Sequence, residues 1–305
     1  MVDGVLPLSV RAALCGEPDA VVVELREDRI RRGSGAATRG LVRLTVGLRT
    51  REGRAVSVRI IRKTMEPLRG GRHAAFAGDP RHWAYWRRES EAYRSALLPT
   101  GPGFRAPRCF GVVGDDVFLE EIDGPPPSAP QAAEHLAAWQ VDYDRSLDQS
   151  WLARDQLGRR LQATRLDWYN VDADPRMVDL WEDRHELYDR LAHLPLVLSH
   201  GDYSTGNLVA QGFDTVALDW ATVGWEPVGF DLAHLALSTG EDPTGAYLAA
   251  TPLSHPPEVT FGFAAALVII GASRVHWMLS QGLDLPEWYV EFVCEHYPLT
   301  RNVHS

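Results

Sequence analysis

The sequence predicts an α+β protein of two lobes, a small β-rich lobe over residues 1–121 and a larger, mainly helical lobe over residues 122–305. Three observations carry this reading. Five β-favouring runs, at residues 21–31, 41–46, 56–63, 109–113 and 117–122, fall in the first part of the chain. From Ala129 onward, apolar residues return at helical spacing. Between the two patterns lies LEEIDGPPP, residues 119–127, whose proline run marks a boundary. At 305 residues with 45% hydrophobic content, the chain is long enough for a core in each lobe.

Taken in order, residues 6–15 suit a short helix and residues 21–31 a strand that begins with three valines. A small-residue loop containing Gly33, Ser34 and Gly35 follows, where backbone amides could approach a phosphate because no side chain intervenes. Leu41, Leu44 and Val46 lead a second strand, which ends before the turn Arg51-Glu52-Gly53. The third strand ends in Arg62 and Lys63, which alternation sends to opposite faces. After a Gly-rich basic linker at residues 67–80, residues 82–98 read as a helix with Trp86, Tyr93 and Leu97 on one face. Glu89 lies about 60° from the centre of that face, at the edge of the aromatics, where a carboxylate needs a cationic partner. Residues 99–107 read as loop and residues 109–113 and 117–122 as a strand pair around Asp115-Asp116.

In the second part, Ala132, Leu136, Trp139 and Tyr143 form one apolar stripe, and residues 151–170 and 177–194 read as two more helices. Trp168, Tyr169 and Asp172 lie near a predicted helix end, where they could wall a substrate pocket. An apolar strand at residues 194–199 leads into HGDYSTGN, residues 200–207. A tight turn at Gln211-Gly212-Phe213-Asp214 and the run ALDW, residues 217–220, complete a hairpin. That hairpin brings Asp202, Asn207 and Asp219 to one small volume. One carboxylate can orient a hydroxyl proton; an amide oxygen and a second carboxylate can hold a hard divalent cation. Residues 225–227 read as a loop, Asp231 opens a helix, and residues 261–281 and 285–297 read as closing helices.

The spacing of His200, Asp202 and Asn207 is that of the kinase catalytic loop, with Gly201 in place of its arginine. Asp219-Trp220-Ala221 stands where kinases carry Asp-Phe-Gly, and GWEPVGFDLAHL, residues 224–235, follows. These residues resemble the aminoglycoside phosphotransferase family of small-molecule kinases. The resemblance implies a kinase-like fold, ATP as phosphoryl donor and Mg²⁺ as metal. It implies Asp202 as the catalytic residue and Asn207 and Asp219 as metal ligands. Lys63-Thr64-Met65-Glu66-Pro67 matches the family's Lys-x-x-x-Pro, so Lys63 is expected on the phosphates with Glu89 as its partner. Gly33, Ser34 and Gly35 are expected above the phosphates, and the backbone of Glu120, Glu121 and Ile122 at the adenine. Asp231 is expected to hold the catalytic loop. Trp168, Tyr169, Trp225 and Glu226 are the candidate substrate contacts.

Composition narrows the partners. The net charge of −10, from 41 acidic and 31 basic residues, disfavours nucleic acid and anionic membrane and favours a cationic ligand. An amine-bearing hydroxyl compound, such as an aminoglycoside-like antibiotic, is therefore the expected acceptor. A peptide Ser or Thr is the alternative, and a catalytically silent nucleotide-binding protein a second. Cys15, Cys109 and Cys294 have no disulfide or metal spacing, which suits a reducing cytoplasm. No Walker motif or leader pattern occurs, and the longest apolar stretch, near residues 261–272, is expected to be too short to span a bilayer.

Overall fold

A computed structural model describes residues 6–30, 37–142, 148–251 and 255–301. Gly33, Ser34 and Gly35 lie outside the described residues. The first lobe contains helix α1 (Leu8–Cys15), strands β1 (Val21–Arg29), β2 (Thr38–Arg49) and β3 (Ala55–Met65), helix α2 (Arg88–Arg94), and strands β4 (Phe104–Arg105), β5 (Cys109–Val113) and β6 (Asp116–Glu120). Five of these strands form an antiparallel sheet in the order β1-β2-β3-β6-β5.

Strand alternation gives the sheet two apolar faces. Leu44, Val46, Leu48, Ile60 and Phe118 pack with Val10 and Cys15 of α1 on one face. Val117, Leu119 and Met65 gather on the other, with Trp86 and Tyr93 packed against them. The same parity separates the two basic residues of β3. Lys63 points inward and is buried, whereas Arg62 forms a bidentate pair with Glu27 at 3.2 and 3.1 Å.

The second lobe contains α3 (Ala129–Asp142), β7 (Ala153–Arg154), α4 (Gln156–Ala163), α5 (Pro175–Glu182), α6 (Arg184–Leu191), β8 (Leu196–Ser199), β9 (Leu208–Gln211), β10 (Asp214–Ala217), β11 (Gly224–Pro227), α7 (Phe230–Thr239), α8 (Thr244–Ala250), α9 (Pro256–Ser280) and α10 (Tyr289–His296). Two three-stranded sheets, β4-β10-β9 and β7-β11-β8, frame the catalytic loop. Helix α9 packs against α5, α6, α7, α8 and α10. It is apolar on nearly every side, as a helix at the centre of a lobe must be. Contrary to the sequence expectation, it is long and apolar enough to cross a membrane by length and composition, yet 72% of its most apolar window is buried inside the fold.

Four other sequence expectations are corrected. The helix expected at residues 82–98 is only Arg88–Arg94. The turns before it are held by the buried Arg88 guanidinium, which donates to the carbonyls of Pro80, His82 and Trp83. The helix expected at residues 151–170 is β7, then α4, then a 3₁₀ turn at Trp168–Asn170. Asp155 breaks it with φ of 55° and caps α4 by accepting from the Gly158 N–H at 3.1 Å. The helix expected at residues 177–194 divides at Asp183 into α5 and α6. The loop expected at residues 225–227 is β11, where Gly224 lies so close to Ala153 that a Cβ would strike its carbonyl.

Candidate active site

Strand β8 delivers His200 into the core, and the loop from His200 to Asn207 is tied down on three sides. Asp231, the second residue of α7, accepts the His200 N–H at 2.7 Å and the Gly201 N–H at 2.9 Å. This is the arrangement expected of it. Burial raises its carboxyl to about 7, against the pull of those two amides. The fully buried His200 donates from Nε2 to the Leu218 carbonyl at 2.8 Å and accepts the Asp202 N–H on Nδ1 at 3.3 Å. The third tie is Gln156, whose Nε2 donates to the Gly201 carbonyl at 2.8 Å. Gly201 has φ of 87°, and a Cβ there would run into the Thr222 carbonyl. An arginine at this position has no room, which explains the departure from the kinase pattern.

The two-residue turn at Gly212-Phe213 closes β9 onto β10 in the register Asp214 to Gln211 through Ala217 to Leu208. The Leu218 N–H returns to the Asn207 carbonyl at 2.8 Å. The hairpin therefore brings Asn207 and Asp219 together, as its length implies. Asn207 donates from Nδ2 to the Asp202 backbone carbonyl at 2.9 Å and to its carboxylate at 3.0 Å. That fixes the amide and leaves Oδ1 as a free acceptor. Asp219 adopts the left-handed region at φ 59°, a strained conformation for a non-glycine residue of the kind that collects at functional sites.

Lys63 reaches across from β3. Its Nζ lies 2.5 Å from Glu89 Oε2 and 2.8 Å from Asp219 Oδ1. Burial opposes its charge, but the two carboxylates raise its pKa overall, so the ammonium persists. The Lys63–Glu89 pair that the resemblance implies is present, with both side chains buried. Beside it, Arg88 donates to five carbonyls, including those of Trp151 and, at 3.1 Å, Ala221. It thereby fastens α2 to the segment just after Asp219.

Asp202 keeps 45% of its side chain accessible. Burial tends to raise its pKa, yet the hydrogen-bonding and positive surroundings, Arg274 among them, hold it below the usual carboxylate range. His234 Nδ1 lies 3.4 Å from Asp202 Oδ1 and accepts from Arg274 at 2.9 Å. Burial lowers the His234 pKa to about 4, so it is neutral. A cavity of about 150 Å³ opens at Asp202 and Asp219, lined also by Ala37, Trp83, Ala84, Arg160, Ala221 and Thr222. Arg160, Trp83, His234 and Arg274 were not foreseen from the sequence. Of these only His234 carried a signal, standing one helical turn from Asp231 on the same face of α7.

The remaining candidates are placed elsewhere. Glu120 pairs with Arg105 at 2.8 Å, and its N–H is taken by the Arg108 carbonyl. Glu121 pairs with Arg43 and Arg59. Ile122 follows at the start of the connection to α3. Tyr169 is fully exposed, and Trp168 packs edge-on against His276 at 5.0 Å. Neither lines the Asp202 cavity. Trp225 and Glu226 do not reach it either, because both lie on β11 with their side chains buried. Trp225 donates to Asp148 at 2.8 Å, and Glu226 accepts the Gln156 N–H at 2.7 Å.

Glu226 has a thermodynamic signature. Burial raises its pKa from 4.5 to about 8, and its Oε2 has no hydrogen-bond partner. The folded chain thus holds a proton that the unfolded chain releases above pH 4.5. Stability from this group is fully present below 4.5 and is lost as pH rises toward 8, by about 1.4 kcal/mol per pH unit. Glu226→Gln keeps the acceptor for Gln156 and removes the titration. Thermal melts should coincide with wild type at pH 4 and run several degrees higher at pH 9. Parallel curves for the two proteins would contradict this account.

Residues 118–253 match the model of the phosphotransferase enzyme family. No curated protein sequence matches the chain. Among solved structures, an aminoglycoside 2'-phosphotransferase-IIIa in complex with GDP is similar over 96% of each chain, with 12% identity and a TM-score of 0.54. Choline kinase from Cryptosporidium parvum Iowa II covers 92% of this chain and 90% of its own at 13% identity and a TM-score of 0.53. A macrolide 2'-phosphotransferase type I covers 95% of each at 16% identity and the same TM-score. At these identities the likeness establishes the kinase-like fold.

Proposed function

From a chain that resembles the phosphotransferase enzyme family and has a kinase-like fold, we propose an enzyme that moves the γ-phosphoryl group of a nucleoside triphosphate, ATP foremost, to a hydroxyl of a small molecule. The observation that carries this reading is the joint placement of Asp202, Asn207, Asp219 and Lys63. The Asp202 carboxylate remains ionised at neutral pH and is accessible, so it can accept and orient an acceptor hydroxyl. A weak base suits a loose transition state, in which positioning and charge neutralisation supply most of the rate. Lys63 positions the phosphates, while Glu89 keeps Lys63 directed at Asp219.

Asn207 Oδ1 and the second Asp219 oxygen are hard donors without other partners among the described residues. They fit Mg²⁺, which takes few protein ligands and fills its sphere with water and phosphate oxygens. When bound, the ion would neutralise phosphate charge. Among the described residues no group of three His, Cys, Asp or Glu forms another metal site.

For the acceptor we favour an amine-bearing compound, an aminoglycoside-like antibiotic being one case. The net charge of −10 supports it, and the similar structures include enzymes named for choline, aminoglycosides and macrolides. The free cysteines are consistent with a cytoplasmic setting. The test is transfer from γ-labelled ATP with Mg²⁺ to a panel of hydroxyl compounds with and without amines. Asp219→Ala should weaken Mg-dependent nucleotide binding and abolish transfer. Wild-type transfer that is unchanged in Asp219→Ala would reject the metal assignment. A best acceptor without an amine would reject the cationic one alone.

A further inference from the structure

Arg160 of α4 is the one cation among the described residues lining the cavity of Asp202 and Asp219. Its guanidinium lies over the Trp83 ring at 4.5 Å, which fixes the plane of the fork. Its Nε is sealed from solvent and has no hydrogen-bond partner. No carboxylate of the described residues lies within ion-pair distance of it. Burial works against the Arg160 charge and the field of Asp202 across the cavity offsets part of that, but no direct ion pair fills the fork, so the site has a place for an anion that arrives from outside. Lys63 is not among the residues lining this cavity. The two carboxylates that share the cavity with Arg160 are the proposed base and a proposed metal ligand. An anion among these three groups occupies the path between donor and acceptor.

We propose that Arg160 binds the equatorial oxygens of the phosphoryl group during its transfer, and is a catalytic residue supplied by α4. This rests on the phosphotransferase reading above. A planar fork suits phosphoryl oxygens, and a donor set fixed in advance needs no reorganisation as the transferring group flattens. The same chemistry could answer an acid group on the acceptor, and the experiment separates the two sources.

The test compares wild type, Arg160→Gln and Arg160→Lys by calorimetry with Mg-ADP, and with Mg-ADP plus aluminium fluoride as a mimic of the phosphoryl group in flight. Arg160→Gln should bind Mg-ADP within about twofold of wild type and lose on the order of 10³-fold in affinity for the aluminium fluoride complex, the lower end of what a phosphoryl-contacting arginine supplies. Its kcat should fall similarly with little change in KM for ATP. Arg160→Lys should recover part of the loss, because it restores the charge without the fork. Equal affinity of wild type and Arg160→Gln for the aluminium fluoride complex overturns the proposal. So does an effect confined to KM for the acceptor, which would place the acceptor's own anion on Arg160. If Arg160→Gln loses Mg-ADP binding as well, Arg160→Lys decides by the same ratio of the two affinities. A wild type that binds no Mg-ADP is a different result, for it removes the phosphotransferase reading itself.

Discussion

Asp202→Asn is expected to bind Mg-nucleotide as wild type does and to transfer phosphate roughly 10²–10⁴-fold more slowly, the range that general acid–base groups supply. The carboxylate is accessible while its loop is fixed by Asp231, His200 and Gln156, so the substitution changes chemistry with little change in position. An asparagine at 202 can still accept from Asn207, which keeps that amide in place for the metal. Single-turnover transfer alongside nucleotide titration checks this. Near-normal turnover in Asp202→Asn would sink the assignment of Asp202 as the group that receives the hydroxyl proton.

Lys63→Met should act on stability and catalysis together. It removes the cation from between two carboxylates, of which Glu89 is almost wholly buried. Breaking a buried pair on one side typically costs about 3–5 kcal/mol, because the remaining charge is left uncompensated. The protein should therefore melt many degrees lower and lose ATP-dependent transfer. Adding Glu89→Leu should restore most of the melting temperature, since an apolar pair replaces the ionic one, while transfer stays lost. Thermal melts and transfer assays on the two single variants and the double variant check both halves. A double variant as unstable as Lys63→Met would show that Glu89 is not where the cost arises.

The legible part of the site was local in sequence. His200, Asp202, Asn207 and Asp219 lie within twenty residues, and one hairpin register fixes their approach. The α+β fold class was legible because strand periods dominate the N-terminal region and helix periods the C-terminal part. Lys63 was separated from Arg62 only by the match to Lys-x-x-x-Pro; strand parity in the structure then placed it inward. What escaped came from long-range pairing. β11 is strand-like because β7 and β8 flank it, and no run inside Gly224–Pro227 announces those partners. That is why Trp225 and Glu226 read as loop residues facing a substrate. Arg160 and Arg274 sit on separate helices and converge on Asp202 only through tertiary packing. Their local sequences do not distinguish them from the other arginines of the chain.

Strand β4 bears on how the protein could be divided. It precedes Glu121 in sequence, yet it pairs in parallel with β10, and Gly103 beside it donates to Asp214 at 2.7 Å and accepts from Thr215 at 2.8 Å. Phe104 packs among Trp139, Tyr203 and Trp220, which belong to the core beneath the catalytic loop. A fragment beginning at Ile122 would lack that ring and the edge strand of the metal-bearing hairpin. A fragment ending at Glu121 would carry both with nothing to dock on. A break before Thr100 keeps residues 100–106 with that hairpin but takes β5 and β6 away from β3, their neighbour in the first-lobe sheet, so no single cut leaves both lobes whole. The two lobes are interleaved in sequence between residues 100 and 121, so they are expected to fold as one unit, and co-expressed halves cut on either side of that stretch should fail to give a soluble complex.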